Sequence, residues 1–587
     1  MTDAFPPPDA FRFFCETAER IRATAKRLEK ALFLGDYFRT LADEDLVRAA
    51  RYFSGYVFSA RDQRTIHIGG AALIAAVTAA SGAEEALVRT RLVALGDIGD
   101  VAGELHGVTE AVPGPSSHLC LSEVESFLAA LAVTTGTKQK ILAVTKVLRG
   151  LSAPEAKYLV KLLQGDLRIG LKEGAVEDAL ARHYQVSVGE VQRANMLTGD
   201  IGETALLARQ GTLSTAALRL FHPLKFMLAT PATDLADLAR QMPSDGFVVE
   251  DKFDGIRAQA HLAPVAADSP PLHGTEINGK RVALFSRTLD EITGAFPDLL
   301  PALAALIPET SHQGFILDGE ILPVRPAAGK ALPTDILPFQ SLQPRLGRKT
   351  LTSELLARTP VAFVLYDALF SDGRILLEEP LNVRRAALVA LVVDGQVIRR
   401  ADSRVFVGTA DLDQEFEAAR ARGNEGLMVK DPGSRYKPGR RGREWLKIKR
   451  TAATLDVVVT AAQVGEGRRS RFLSDYTFAV RTSETDPTLL NVGKAYSGLT
   501  DAEVQELSDW LMAHTVQEFA HGKVRTVEPS IVFEVTFDRV QPSARHKSGF
   551  ALRFPRILRV RQDKPASEID TLESVRRLAE ADGAALD

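Results

Sequence analysis

From residue 10 to about residue 210 the apolar side chains recur at helical spacing and strand signals are nearly absent, as in Phe11, Phe14, Ala18 and Ile21, or Leu46, Ala49 and Phe53. Near Phe221-His222-Pro223-Leu224 the pattern changes. Prolines at 223, 231 and 243 mark a linker, and strands then alternate with helices to about residue 450. Past Arg450 the chain is mostly strand-like, at Leu455–Thr460, Tyr476–Arg481, Ile531–Phe537 and Ile557–Arg561. These shifts predict a multidomain protein: an all-α domain over 1–216, an α+β domain over 217–450 and a β-barrel of the OB type over 451–587. A length of 587 residues allows three or four domains.

Local signals refine this division. Ser122 with Glu125 and Ser152 with Glu155 read as capping boxes in the helical part, and Thr500 with Glu503 opens the one helix of the last domain. Leu163-Gln164-Gly165-Asp166-Leu167-Arg168-Ile169-Gly170-Leu171-Lys172 places a short basic segment between two glycines. Such a turn presents backbone N–H groups and cations to phosphates, although pattern alone favours a plain helix–helix turn. Thr198-Gly199-Asp200-Ile201-Gly202 reads the same way, and residues 263–280 look like a surface insertion.

Charged residues make up 25% and apolar residues 45%, ordinary values for a soluble globular protein. The net charge of −3 requires any nucleic-acid surface to be local. Cys15 and Cys120 are the only cysteines, which excludes a disulfide framework and a four-cysteine zinc site and fits a reducing cytoplasm. Met-Thr-Asp-Ala-Phe-Pro-Pro-Pro lacks the regions of a signal peptide, and the apolar stretch Ala71–Ala80 is short for a membrane span. The expectation is a cytoplasmic protein without a membrane partner.

The chemistry concentrates at Glu250-Asp251-Lys252-Phe253-Asp254-Gly255-Ile256-Arg257. The lysine falls in a turn between two strand-like segments, where Gly255 permits close backbone approach to a ligand. In an apolar pocket beside other cations such a lysine can lose its proton and attack an electrophile; in a solvated hairpin it is inert. Other stretches supply what a nucleotide would need. Phe285-Ser286-Arg287 ends a strand, and Phe315-Ile316-Leu317-Asp318-Gly319-Glu320-Ile321 sets two acids on one face. Phe363-Val364-Leu365-Tyr366-Asp367 puts an aromatic beside an acid, and Glu425-Gly426-Leu427-Met428-Val429-Lys430 puts an acid and a lysine at the ends of a strand. In Trp445-Leu446-Lys447-Ile448-Lys449 the two lysines share a side. Singly, each also reads as a charged strand edge. Together they offer a nucleophile, two glutamates fit for Mg²⁺, cations for a polyphosphate and an aromatic for a base. Residues 435–450 hold eight basic side chains against one acidic, Glu444, a local cationic patch.

In order and spacing these stretches resemble the motifs of the ATP-dependent DNA ligases of the three-domain type, within the covalent nucleotidyltransferase superfamily. The resemblance extends to Phe550-Ala-Leu-Arg553-Phe-Pro-Arg556-Ile-Leu-Arg-Val-Arg-Gln-Asp563-Lys564 in the last domain, and Lys161–Lys172 and Thr198–Glu203 are similar to turns of the family's DNA-binding domain. It implies that Lys252 attacks the α-phosphate of ATP and carries AMP. Glu250 would read the adenine amino group and Tyr366 would stack on the purine, with Phe363 a second aromatic candidate for that wall. Arg257 and Arg287 would lie near ribose and phosphates, and Glu320 and Glu425 would serve Mg²⁺ and the ribose. Arg441, Lys447 and Lys449 would neutralise the α-phosphate. Arg553 and Arg556, with Asp563 and Lys564, would orient pyrophosphate. Arg168 and Lys172 would contact nicked double-stranded DNA, and the enzyme would act as a monomer. Tyr366 stands where many relatives carry phenylalanine.

Three rivals share part of this pattern. A GTP-dependent capping guanylyltransferase leaves the helical domain and Arg553-Phe-Pro-Arg556 unexplained. An RNA ligase uses the same chemistry. A non-catalytic DNA-binding scaffold would be expected to lack the lysine or the glutamates. An NAD-dependent ligase would be expected to carry a cysteine zinc site that two cysteines cannot supply.

Overall fold

The computed structural model describes residues 9–59, 62, 64–106, 119–232, 234–265, 273–325, 336–337, 339–346, 351–449, 453–466, 469–520 and 522–581. They fall into two compact units: one of residues 1–57, 65–172 and 451–587, the other of 58–64 and 173–450. The expected order holds along the chain, with helices first and sheet-rich regions after them.

In the first unit, among the described residues, three helices begin at capping boxes, whose side chains satisfy free N–H groups of the first turn. Ser152 and Glu155 form the expected capping box, with Pro154 in the first turn. The box expected at Ser122 and Glu125 sits two residues earlier. Cys120 is the cap of the helix Leu121–Val133, and the Glu123 carboxylate accepts from the Cys120 N–H at 2.9 Å. A thiol can take the place of a serine hydroxyl here, and Glu125 is left to pair with Arg48 at 2.8 Å.

The second unit holds the candidate site. Its strands are β1 (Leu228–Pro231), β2 (Phe247–Lys252), β3 (Ile256–Pro264), β4 (Thr275–Ile277), β5 (Lys280–Ser286), β6 (Phe315–Pro323), β7 (Val361–Ser371), β8 (Arg374–Ile375), β9 (Ile398–Arg400), β10 (Ser403–Phe406), β11 (Gly426–Lys430) and β12 (Arg441–Lys449). They form two sheets, one in the order β1-β12-β11-β2-β10, the other β4-β5-β3-β6-β7-β8 with β9 beside β7. The first packs Val249, Leu427, Val429 and Leu446 against Leu238, Leu412 and Phe416 of its helices. The second buries Ala260, Leu284, Leu317, Phe363 and Leu365 against Leu303 and Leu388. Ile316 and Leu369 of one sheet and Trp445 of the other share a further cluster with Met227 and Tyr436, which ties the sheets together.

In the first unit, the C-terminal strands are β13 (Thr454–Val464), β14 (Leu473–Arg481), β15 (Leu489–Ala495), β16 (Thr515–Phe519), β17 (Val524–Val527), β18 (Val532–Thr536), β19 (Arg539–Pro542), β20 (Phe550–Arg553) and β21 (Arg556–Val560). The long β13 pairs with β14 on one edge and with both β17 and β18 on the other, while β19 and β20 pair by themselves. Among the described residues this pairing closes no ring, so the region is sheet-rich as expected without being a closed barrel. Its helix Asp501–Ala513 starts at the Thr500–Glu503 box.

Tyr366 is fixed by its neighbour. Asp367 is fully buried and held by the fully buried Arg384 through two bonds of 2.8 and 2.9 Å. Burial pushes the Asp367 carboxyl up, and Arg384 pulls it part of the way back. Arg384→Ala leaves that carboxyl without its counter-charge, and is expected to destabilise the second unit by about 3–5 kcal/mol. Denaturant unfolding followed by peptide-resolved hydrogen exchange checks the loss.

Candidate active site

Lys252 is the last residue of β2, and Phe253-Asp254-Gly255 carry the chain across to β3. The two strands lie in different sheets, so this segment is no hairpin. Gly255 is required by the crossing: a Cβ there would stand 2.4 Å from the Ile321 carbonyl oxygen of β6 and 2.6 Å from Leu322. Lys252 thereby opens onto a cleft of about 220 Å³ lined by residues of both sheets.

Eight of the residues singled out from the sequence line that cleft: Glu250, Lys252, Arg257, Arg287, Glu320, Tyr366, Arg441 and Lys447. Glu425 stands just before β11, with its N–H donating to the Lys252 carbonyl at 2.7 Å and its carboxylate in contact with the Lys252 ammonium. Phe363 does not belong to the wall. Strand alternation turns it to the face of β7 opposite Tyr366, where it is fully buried in the core. The side chain of Lys449 lies outside the described residues. So do residues 266–272 of the 263–280 insertion, between the end of β3 at Pro264 and the start of β4 at Thr275.

The cleft is held by paired charges. Lys430 donates to Glu250 at 2.5 Å, and both side chains are only 2% exposed. The other oxygen of Glu250 accepts from Ser403 at 2.8 Å and from Arg385 at 3.3 Å. The Lys430 ammonium also lies 4.6 Å from the ring centre of Tyr366 and 4.5 Å from that of Trp445, within cation–π range. Arg257 grips Asp318 at 2.7 and 3.2 Å and donates to the Met227 carbonyl at 2.7 Å. Tyr436 donates to the same carboxylate at 2.7 Å. Burial works against the charge on Arg257, but Asp318, Tyr366 and Tyr436 together outweigh it and push the guanidinium well above its ordinary value.

Among the described residues Glu320 has no such dedicated partner. Burial pushes its carboxyl up to about 8, although Arg257 and Lys252 draw it down. Among the described residues no three His, Cys, Asp or Glu side chains converge as a ready-made metal cage. What the cleft offers instead is the Lys252 amine with Glu425 against it, the Glu320 carboxylate, exposed arginines at 287 and 441, and the ring of Tyr366. Lys430, Trp445 and Met428 also line it and were not singled out as site residues. Lys430 stood in the sequence at the end of a quoted strand, but its partner Glu250 lies 180 residues away.

The remaining candidates lie in the other unit. The Arg168 guanidinium is drawn inward, donating to the Gly96 carbonyl at 2.6 Å and pairing with Asp97 at 3.2 Å. It braces its own turn, which Lys30 also holds through the carbonyls of Ile169 and Gly170. Lys172 is exposed, 3.6 Å from Asp166. Arg553 ends β20 and Arg556 begins β21, with Phe554 between them at φ +50° and 73% exposed. Asp563 pairs with Arg561, and Lys564 with Asp456.

Residues 226–449 match the family described as "ATP dependent DNA ligase domain", residues 10–181 "DNA ligase N terminus", and residues 469–564 "ATP dependent DNA ligase C terminal region". A "Probable DNA ligase" of Koribacter versatilis is 44% identical over 96% of this chain and 95% of its own. A DNA ligase of Archaeoglobus fulgidus is 33% identical over 97% of each chain. The solved structure titled Pmar-Lig_PreS3 covers 94% of this chain and 99% of its own with a TM-score of 0.57 at 15% identity, a likeness of fold. The chain belongs to the ATP-dependent DNA ligases. It is an enzyme of that class.

The raised Glu320 carboxyl has a measurable consequence. Folding favours its neutral form, so its contribution to stability is full below about pH 4.5 and is lost as pH rises towards 8. Glu320→Gln, which cannot ionise, should therefore gain in melting temperature over the wild type as pH rises from 5 to 8 without nucleotide. A difference that stays constant across that range would remove the carboxyl as its source.

Proposed function

We propose that Lys252 is the nucleophile of this ligase and that the cleft around it is the ATP site. The observation that carries the reading is the convergence on one cleft of Lys252, the Glu250–Lys430 pair, Tyr366 and the cations Arg287, Arg441 and Lys447. Glu250, kept an acceptor by Lys430 and Arg385, is suited to receive the amino group of adenine; guanine offers a carbonyl there instead. The purine stacks on Tyr366, and the exposed arginines take the phosphates.

The amine must first lose a proton, and Glu425, in contact with it, is the carboxylate placed to take it. The Lys252 nitrogen then forms a bond to the α-phosphorus while the bond from that phosphorus to the bridging oxygen breaks, and the electron pair leaves with pyrophosphate. A second proton leaves as the phosphoramidate forms. Arg441 and Lys447 stabilise charge on the α-phosphate as it passes through the transition state. AMP then passes to the 5′-phosphate of a nick, which frees the lysine. Attack by the 3′-hydroxyl on that phosphate expels AMP and joins the strand.

Mg²⁺ fits this donor set, because it takes one or two carboxylates and completes its shell with water and phosphate oxygens. Glu320 and Glu425 would hold it, and when bound it would withdraw charge from the phosphates. We further propose that nicked duplex DNA is gripped through its phosphates by the cationic stretch 435–450 and by the turn ending at Lys172.

Incubation with α-labelled ATP should leave label on the protein, and mass spectrometry should find one AMP on the peptide holding Lys252. Lys252→Ala should lose both the label and nick sealing while still binding nicked DNA, with affinity falling steeply as salt rises. Label from GTP would favour the capping reaction instead, and sealing by the Lys252→Ala variant would reject the assignment.

A further inference from the structure

Behind the nucleophile strand lies a second set of charges that the mechanism does not use. Asp251, between Glu250 and Lys252, directs its carboxylate away from the pair Glu250 and Lys252, because alternate residues of a strand face opposite ways. There it meets three donor contacts. Arg422 binds it through two nitrogens, at 2.6 and 2.9 Å, and Asn424 donates to it at 2.7 Å. Arg422 in turn pairs with Glu415 at 2.6 Å, and Glu415 also contacts Arg404.

These donors belong to one short loop. The helix Leu412–Ala421 stops at Arg422, Gly423 takes φ +85°, and the chain reaches β11 at Gly426. The loop therefore contains Glu425, whose carboxylate meets the Lys252 ammonium. Backbone pairing of Gly426 with Lys252 and Leu427 with Asp251 aligns the strands, and the Glu425 N–H on the Lys252 carbonyl anchors the end of the loop; Arg422 and Asn424, further back, are tied to β2 through their side chains on Asp251. Asn424 is 2% exposed, and its amide oxygen has no partner among the described residues, so the loop tolerates one orphaned acceptor in order to place the donor on Asp251. An ordinary surface ion pair is mobile and weak. Here three bonds converge on a carboxylate that is only 15% exposed.

We propose that Arg422 and Asn424, acting through Asp251, are positioning residues that hold Glu425 and Lys252 in register for enzyme adenylylation. The proposal rests on the assignment of Lys252 as nucleophile. Its signature is a dependence on the step. Lys252 is the attacking group when AMP is taken from ATP, whereas joining of a nick that already carries AMP uses the 3′-hydroxyl as nucleophile.

The test compares the full-length wild type with Arg422→Met, Asn424→Ala and Arg422→Lys in two single-turnover assays. One follows AMP transfer from labelled ATP to the protein; the other follows sealing of a pre-adenylylated nicked duplex. A displacement of about an ångström at a reacting centre can cost on the order of 100-fold in rate. Arg422→Met should slow AMP uptake at saturating ATP towards that extent and Asn424→Ala by less, while both seal the pre-adenylylated nick at the wild-type rate. Arg422→Lys, which keeps a charged donor, should recover part of the loss. Wild-type AMP uptake by both Arg422→Met and Asn424→Ala would overturn the proposal, and so would an equal loss in both assays, which would mark a general effect on folding. A wild type that takes up no AMP at Lys252 would instead overturn the assignment on which the proposal rests.

Discussion

Charge cannot be left alone in a protein interior, and the cleft of this ligase is organised by that rule. A buried ion costs several kcal/mol in lost hydration unless an opposite charge and further hydrogen bonds offset it. Here Lys430 faces Glu250, Arg257 faces Asp318, and Arg384 faces Asp367, each pair with at least one partner almost fully buried. The first two join residues 180 and 61 apart in the chain, so neither can form until the strands have paired, while the third ties β7 to a helix 17 residues on. Satisfying them fixes the register of β2 against β11 and of β3 against β6, and this register sets where the Lys252 amine ends up.

The same rule explains how far the sequence could be read. Helices were legible from spacing, and the boxes at Ser152 and Thr500 from residue identity, because those contacts span only three residues. The box expected at Ser122 is displaced because the cap is a cysteine, which the usual preference for serine, threonine, aspartate and asparagine does not flag. Lys252, Glu320 and Tyr366 each sit in a short local motif, and the structure brings all three to one cleft. Alternation alone leaves open which face of a strand meets the cleft. Phe363 is a wall candidate by sequence, but its face of β7 belongs to the core. Nothing local marks Lys430, because its role lies in a pair closed across 180 residues.

Arg168 is a case in which exposure and position in a motif point different ways. A basic residue in a glycine-flanked turn reads as a phosphate contact, yet this side chain is spent on Gly96 and Asp97. Its backbone adopts φ +53°, and Lys30 holds the carbonyls of the next two residues. The turn is thus shaped by inward-facing cations, and its most exposed cation is Lys172. A charge in such a loop can therefore serve the ligand indirectly, by fixing the backbone that meets it.

The contact between Lys252 and Glu425 sets a condition on the order of events. An amine paired as an ammonium has no lone pair to offer. The contact with Glu425 therefore has to be broken or altered before Lys252 can attack. On the proposed reading, the nucleotide would bring negative phosphates beside Arg441 and Lys447, and a divalent cation would compete for Glu425 and Glu320 at the same moment. Attack then requires that Glu425 exchange its ammonium partner for a proton or a metal ion. The geometry of the loop from Arg422 to Glu425 is consequently part of the chemistry: a carboxylate placed too far away could not receive the proton, and one held too rigidly against the ammonium would not release the amine. The turn at Gly255 completes the arrangement by letting β2 end where the two sheets face each other, so that the amine and the phosphates meet in a single cleft.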